Sequence, residues 1–122
     1  MAVIGIGVDL VDIARFERAL HRTPALRHRL FGPDERSRNG VDLPARSLAG
    51  RFAAKEAFIK ALGDSWAMRW HDMAVAGDER GKPSLVLAGA AGEAAAALGV
   101  RRVHVSMSHD AGMAIAVVIA ED

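Results

Sequence analysis

The chain has 122 residues, 51% hydrophobic and 25% charged, with a formal net charge of +1, which suits one domain of ordinary size spanning residues 1–122. No apolar run reaches the roughly 18 residues of a membrane-spanning helix, and the N-terminal apolar run has no basic region ahead of it as a signal peptide would. The absence of cysteine excludes disulfides, thiolate metal sites and cysteine nucleophiles, and the near-balanced charge argues against nonspecific nucleic-acid binding, so a cytoplasmic protein is expected.

Val3-Ile4-Gly5-Ile6-Gly7-Val8 is short, apolar and β-branched, and reads as a buried strand. Val11 to Leu20 has helical spacing of Val11, Phe16 and Leu20. Thr23-Pro24 supplies an N-cap and a first-turn proline for a short helix closed by Gly32, and Pro33-Asp34-Glu35 opens another turn. Pro44 starts the longest helix, which runs to Leu62 and stops at Gly63. Met73 to Val75 and Ser84 to Leu87 flank Asp78-Glu79-Arg80-Gly81, a hairpin pattern. Gly92 to Leu98 is an alanine-rich helix ended by Gly99. Val103 to Ser108 alternates with period two, and a second strand, Met113 to Ala120, follows through a loop at His109-Asp110-Ala111-Gly112. This order predicts an α+β fold, a small antiparallel or mixed sheet packed on a long central helix.

The long helix carries the first chemical signal. Thirteen of the sixteen cations are arginine, and two of the three lysines, Lys55 and Lys60, lie on it; the third is Lys82. At about 100° per residue, Arg51 and Lys55 fall among Phe52, Phe58, Ile59 and Leu62. Ala53, Ala54, Ala57 and Ala61 make a smooth strip, and Glu56 and Lys60 share a narrow polar arc of about 40°. An ordinary surface helix has a wide polar side. Either some of these charges line a cleft or an interface, or Glu56–Lys60 is a solvated i,i+4 pair and Arg51 and Lys55 snorkel.

Asp9 is the second signal, a carboxylate directly after an apolar strand. Buried there it needs a hydrogen bond, a charge partner or a metal; otherwise it caps the following helix, a role for which Asp12 competes. The third is Ser106-Met107-Ser108-His109-Asp110. A Ser-His-Asp hydrolase is disfavoured, because neighbours on a strand point to opposite faces and no G-x-S-x-G is present. His109 suits phosphate contact or proton transfer, and His104 reads as structural.

Four motifs occur in order: Gly5-Ile6-Gly7-Val8-Asp9-Leu10-Val11, Arg51-Phe52-Ala53-Ala54-Lys55-Glu56-Ala57 with Lys60-Ala61-Leu62-Gly63, Gly81-Lys82-Pro83, and His104-Val105-Ser106-Met107-Ser108-His109-Asp110. Together they closely resemble the holo-acyl-carrier-protein synthases, the small bacterial 4′-phosphopantetheinyl transferases, over essentially the whole chain. Where many members continue Leu-Gly with Thr-Gly, this chain has Asp64-Ser65.

The resemblance implies Mg²⁺-dependent transfer of the 4′-phosphopantetheine arm of coenzyme A to a serine of apo-acyl carrier protein, releasing adenosine 3′,5′-bisphosphate, a step that serves fatty acid biosynthesis. Asp9 and Glu56 match the metal-binding acids, and Glu56, Lys60 and His109 the catalytic set. Arg51, Lys60, Gly63, Lys82, Pro83 and His109 match the coenzyme A contacts. The acceptor of the serine proton stays open between Glu56 and a water held by the metal, and Lys55 and Asp110 have no assigned role. Arg15, Arg18 and Arg22, at i, i+3 and i+7 of the first helix, offer a basic docking face for an acidic carrier. The resemblance also implies a homotrimer with sites between subunits, which the limited core of a short chain favours on physical grounds. Two other classes compete: a Mg²⁺-dependent nucleotide pyrophosphohydrolase using the same acids, and a noncatalytic oligomeric binding module.

Overall fold

The computed structural model describes residues 1–63, 68–77 and 80–122. In chain order it contains β1 (Val3–Asp12), α1 (Ile13–Arg22), α2 (Leu26–Leu30), α3 (Pro33–Arg36), β2 (Ser37–Arg38), β3 (Val41–Asp42) and α4 (Ala45–Leu62). A 3-10 turn at Trp70–Asp72 leads into β4 (Met73–Gly77), β5 (Pro83–Leu87), α5 (Gly89–Ala97), β6 (Arg102–Asp110) and β7 (Met113–Glu121). The fold is α+β, as expected. One antiparallel sheet has the order β1-β7-β6, and β2–β3 and β4–β5 are separate hairpins. Among the described residues no helix is long and apolar enough to cross a membrane.

Two glycines set the distance between sheet and helix. A Cβ on Gly7 would lie 1.7 Å from the Ala57 carbonyl oxygen, and one on Gly5 1.8 Å from that of Ala61. The bare backbone of β1 therefore lets α4 settle directly on the strand through its alanine strip. On β7 the residues beneath the helix are Ala114, Ala116, Val118 and Ala120, all buried. Small side chains on both sides give a close approach, and the dense interior supplies dispersion contacts that a looser packing would lose.

The same arrangement corrects the reading of Val3 to Val8 as a buried strand. Ile6, Val8 and Leu10 point away from α4 and are 63%, 50% and 58% exposed. They pair across the sheet with Ile119, Val117 and Ile115, so the β1–β7 part of this face is apolar, with its β1 side chains uncovered in the single chain, while β6 adds His104, Ser106 and Ser108 to it. Continuous hydrophobicity here reflects two different surfaces, helix-contacting glycines alternating with outward branched residues.

Element boundaries differ from expectation at three places that matter. β1 continues through Asp9 to Asp12, and Asp12 is the cap of α1, its Oδ1 accepting from the Arg15 amide at 3.0 Å. Thr23 ends α1 instead of opening the next helix, its amide donating to the Ala19 carbonyl at 2.9 Å, and Gly32 leads into α3. The β6–β7 turn is only Ala111-Gly112, with φ of 52° and 75°, the positive pair a tight type I′ hairpin requires. His109 and Asp110 thus lie within β6, paired with Ala114 and Met113, and not in a loop. At the end of α4, Gly63 has φ 87° and its amide bonds back to the Ile59 and Lys60 carbonyls, stopping the helix where expected.

Candidate active site

With Asp12 serving as the cap, Asp9 is left on the helix-facing side of β1, opposite Ala116. Because α4 sits close on Gly5 and Gly7, its polar arc reaches the edge of β1. The Lys60 Nζ donates to Asp9 Oδ1 at 3.0 Å and to the Val8 carbonyl at 3.0 Å. The solvated Glu56–Lys60 pair is not what forms: Lys60 crosses to the strand, and its ion pair is with Asp9. Glu56, one turn back, lies close enough to Asp9 for the two carboxylates to repel. Its carboxyl is pushed above the usual range first by burial and then by Asp9, with Lys60 opposing.

Two acids and a lysine thus meet at one edge of the fold. Two repelling carboxylates on separate elements are a costly arrangement for stability alone, and perturbed acids of this kind mark functional sites. The oxygen donors suit a hard divalent cation, and two carboxylates are the protein share that Mg²⁺ commonly takes alongside phosphates and water.

The remaining predicted contacts lie on the other side of α4. Arg51 and Lys60 are nine residues apart, which places them about 180° apart around the helix. Arg51 faces a hollow of about 180 Å³ lined by Arg46, Ser47, Gly50, Met107, Ser108 and His109. Its Nε is buried without a hydrogen-bond partner, while a terminal nitrogen donates to the Ser47 carbonyl at 3.4 Å. Burial pushes the guanidinium below its usual pKa; the charge of Glu35 opposes this and that of Arg38 adds to it. Met107 also borders a second depression of about 530 Å³ that contains Lys82, Pro83, Val103 and Val117. Arg51, His109, Lys82 and Pro83 therefore line adjoining surfaces along β6, the sheet edge opposite β1. One chain brings together Asp9, Glu56 and Lys60, and separately Arg51, His109, Lys82 and Pro83, but not the two sets with each other.

No serine hydrolase arrangement is present in the Ser106–Asp110 stretch. Asp110 Oδ1 accepts from the adjacent Ala111 amide at 2.9 Å, a turn contact, and alternation along β6 sends Ser108 and His109 to opposite faces. His104 pairs with Glu121 at 2.9 Å on the outer face. Arg15, Arg18 and Arg22 are all exposed on α1. The Asp64-Ser65 departure lies outside the described residues.

One buried constellation escaped the sequence. Lys55 does not snorkel: its Nζ donates to Glu35 Oε1 at 2.7 Å, to the Leu30 carbonyl at 2.6 Å and to the Trp70 carbonyl at 3.2 Å. Glu35, which looked like a first-turn helix acid, accepts the Val75 amide at 3.0 Å through its other oxygen. Burial lowers the Lys55 pKa, and Glu35 partly restores it. The available signal was Lys55 among the large apolar residues of α4, but its partner lies twenty residues away.

The profile of the ACPS: 4′-phosphopantetheinyl transferase superfamily matches residues 5–118. The chain belongs to that superfamily. A holo-[acyl-carrier-protein] synthase of Clavibacter michiganensis subsp. michiganensis is 60% identical over 117 residues, 96% of this chain and 94% of that protein. Among solved structures, holo-[acyl-carrier-protein] synthase from Neisseria meningitidis superposes with a TM-score of 0.88 at 32% identity, covering 99% of this chain and 100% of that one. The Helicobacter pylori holo-[acyl-carrier-protein] synthase in complex with coenzyme A gives a TM-score of 0.80 at 31% identity, covering 95% and 99%. Both the expected family and the expected fold are thereby established, and the superfamily names the chemistry as phosphopantetheinyl transfer.

Proposed function

We propose that this chain moves the 4′-phosphopantetheine arm of coenzyme A onto a serine of an apo-acyl carrier protein. The serine oxygen bonds to the arm's phosphorus, the bond from that phosphorus to the bridging pyrophosphate oxygen breaks, and adenosine 3′,5′-bisphosphate leaves. The observation that carries this reading is the meeting of Asp9, Glu56 and Lys60 in a phosphopantetheinyl transferase superfamily member. The coenzyme A bound to the Helicobacter pylori relative supports the donor.

Asp9 and Glu56 would hold Mg²⁺ through carboxylate oxygens. When bound, the ion supplies neutralisation of the pyrophosphate's charge. Lys60 presents an ammonium at the same edge for a phosphate oxygen. Glu56 is the carboxylate available at this edge to accept the serine proton, directly or through an intervening water. Arg51 and His109 take the anionic nucleotide end, and the partnerless Arg51 Nε is a donor suited to it. Lys82 and Pro83 flank the same surface, and Gly63 ends α4 beside Lys60. The exposed Arg15, Arg18 and Arg22 face an acidic carrier.

The working unit in this reading is a homotrimer. Ile6, Val8 and Leu10 make an exposed apolar face that a monomer leaves wet, and a closed ring would cover it. The two halves of the site lie on opposite sides of α4, so one copy supplies Asp9, Glu56 and Lys60 and a neighbour supplies the β6 edge. Light scattering at micromolar concentration checks the assembly; full activity at a mass near 13 kDa contradicts it.

Weighing the carrier after incubation with coenzyme A and Mg²⁺ tests the reaction. Transfer adds one phosphopantetheine to a carrier with its serine and none to a serine-less variant. Breakdown of coenzyme A with an unchanged carrier points instead to a pyrophosphohydrolase, and no reaction at all to a binding module.

A further inference from the structure

The Lys60 ammonium, a phosphate contact in the proposed reaction, is already engaged in the free chain. It sits 3.0 Å from Asp9 Oδ1, anchored on the other side by the Val8 carbonyl at 3.0 Å. The two partners differ in freedom. The Asp9 side chain is 15% exposed, fixed on a strand beneath α4, whereas that of Lys60 is 54% exposed on a flexible four-carbon stem. Glu56 stands one turn before Lys60 on α4, on the same polar arc. The lysine therefore offsets part of the repulsion between two carboxylates that must both stay ionised to bind a cation.

We propose that Lys60 is a tethered counter-ion for Asp9 and Glu56, displaced from Asp9 when a divalent cation enters and thereby released for a phosphate group. The proposal rests on the reading of Asp9 and Glu56 as the metal-binding acids. Lys60 occupies Asp9 Oδ1, and a positive ammonium left at 3.0 Å from that oxygen would repel a cation shared by the two acids. The mobile partner is the lysine. Once off Asp9, it keeps its charge, its reach and its three donors, and the phosphate-bearing substrate is the natural acceptor. One side chain thus serves two states, guarding the acids before metal enters and meeting the phosphate afterwards.

The inference predicts an effect opposite in sign to that of losing a ligand: removing Lys60 should tighten metal binding. The measurement is Mn²⁺ binding to the full chain without coenzyme A, followed by the electron paramagnetic resonance signal of free Mn²⁺, with circular dichroism confirming each fold. Lys60→Met should bind Mn²⁺ roughly two- to fivefold more tightly than the native chain, the weight of a partly exposed ion pair. Lys60→Arg, which keeps the charge, should bind close to the native value. A Lys60→Met variant that binds no more tightly, or a Lys60→Arg variant that tightens as much as Lys60→Met, overturns the proposal. Asp9→Asn separates the underlying reading. If it loses Mn²⁺ binding, the acids are the ligands and the lysine comparison decides; if it binds like the native chain, the metal assignment fails and the proposal falls with it.

Discussion

Lys55 Nζ and Glu35 Oε1 lie 2.7 Å apart, and their side chains are 0% and 3% exposed. The pair joins five stretches of chain at one point: α4 through Lys55, α3 through Glu35, β4 through the Val75 amide, the end of α2 through the Leu30 carbonyl and the 3-10 turn through the Trp70 carbonyl. Phe31 packs beside it, its ring centre 5.0 Å from Nζ. Every acceptor in the cluster has a donor, which is the condition for a buried charge pair to be tolerated.

Removing one partner strands the other. Lys55→Met should cost about 3–5 kcal/mol in urea unfolding, because a buried carboxylate is left without its counter-charge. Glu35→Gln alone should cost about the same order, since the ammonium then lacks its counter-charge. The double variant should cost clearly less than the sum, because the introduced glutamine still offers an acceptor to the Val75 amide and the introduced methionine needs no partner. Strict additivity would mean that the two side chains do not act as a pair.

The approach of α4 to β1 depends on Gly7. In Gly7→Ala the new methyl would meet the Ala57 carbonyl at 1.7 Å, so strand and helix must move apart. A loss of about 1–3 kcal/mol is expected from such overpacking. Activity should fall by more than the lost folded fraction explains, because Asp9 on β1 and Glu56 on α4 separate. Full activity per folded molecule would detach the site from this packing.

Glu56 is kept at a cost to stability. Its folded pKa lies above the ordinary 4.5, so the protonated form is the better fit to the fold. That contribution is complete below the unfolded value and is lost as pH rises through the raised folded one. Glu56→Gln, always neutral, should therefore unfold later than the native chain at pH 7, by about 0.5 kcal/mol after solvent screening. The gap should close as pH falls below about 4.5. The same variant should have lost transfer activity. Lower stability of Glu56→Gln at pH 7 would contradict the repulsion.

Arg15 sits exposed on α1, with Arg18 and Arg22 completing a basic stripe. Arg15→Glu should raise the KM for an acidic carrier about tenfold at low salt while leaving the KM for coenzyme A unchanged. The difference should shrink as salt rises, since exposed charges are screened within about 10 Å at 0.1 M. Equal effects on both substrates would remove Arg15 from the docking face.

The helix α4, its start after Pro44 and its stop at Gly63 were legible because proline, glycine and alanine act locally. The convergence of Asp9 with Glu56 was legible only through motif resemblance, since a strand carboxylate and a helix carboxylate carry no spacing that joins them. The outward turn of Ile6, Val8 and Leu10 was hidden because Gly5 and Gly7 look apolar in sequence while serving as backbone clearance. The place of His109 inside β6 was hidden because the hairpin turns on only two residues, and Ala111 at φ 52° gives no sequence signal of that conformation. Glu35 was missed because its partner Lys55 is supplied by another helix.

In the proposed trimer, transfer takes place where the Asp9–Glu56 edge of one copy meets the β6 edge of another. Complementation between two inactive variants decides whether the site is shared. Glu56→Gln damages one half of the site and His109→Ala the other, and both changed side chains are partly or fully exposed, so the fold should survive. Each variant alone should leave an apo-carrier protein unmodified, as read by its mass. Coexpressed in equal amounts, they should regain about one quarter of native activity, the share of interfaces that pair an intact Glu56 with an intact neighbouring His109. Mixed assemblies that form and stay inactive would place the whole site within a single chain and contradict the account.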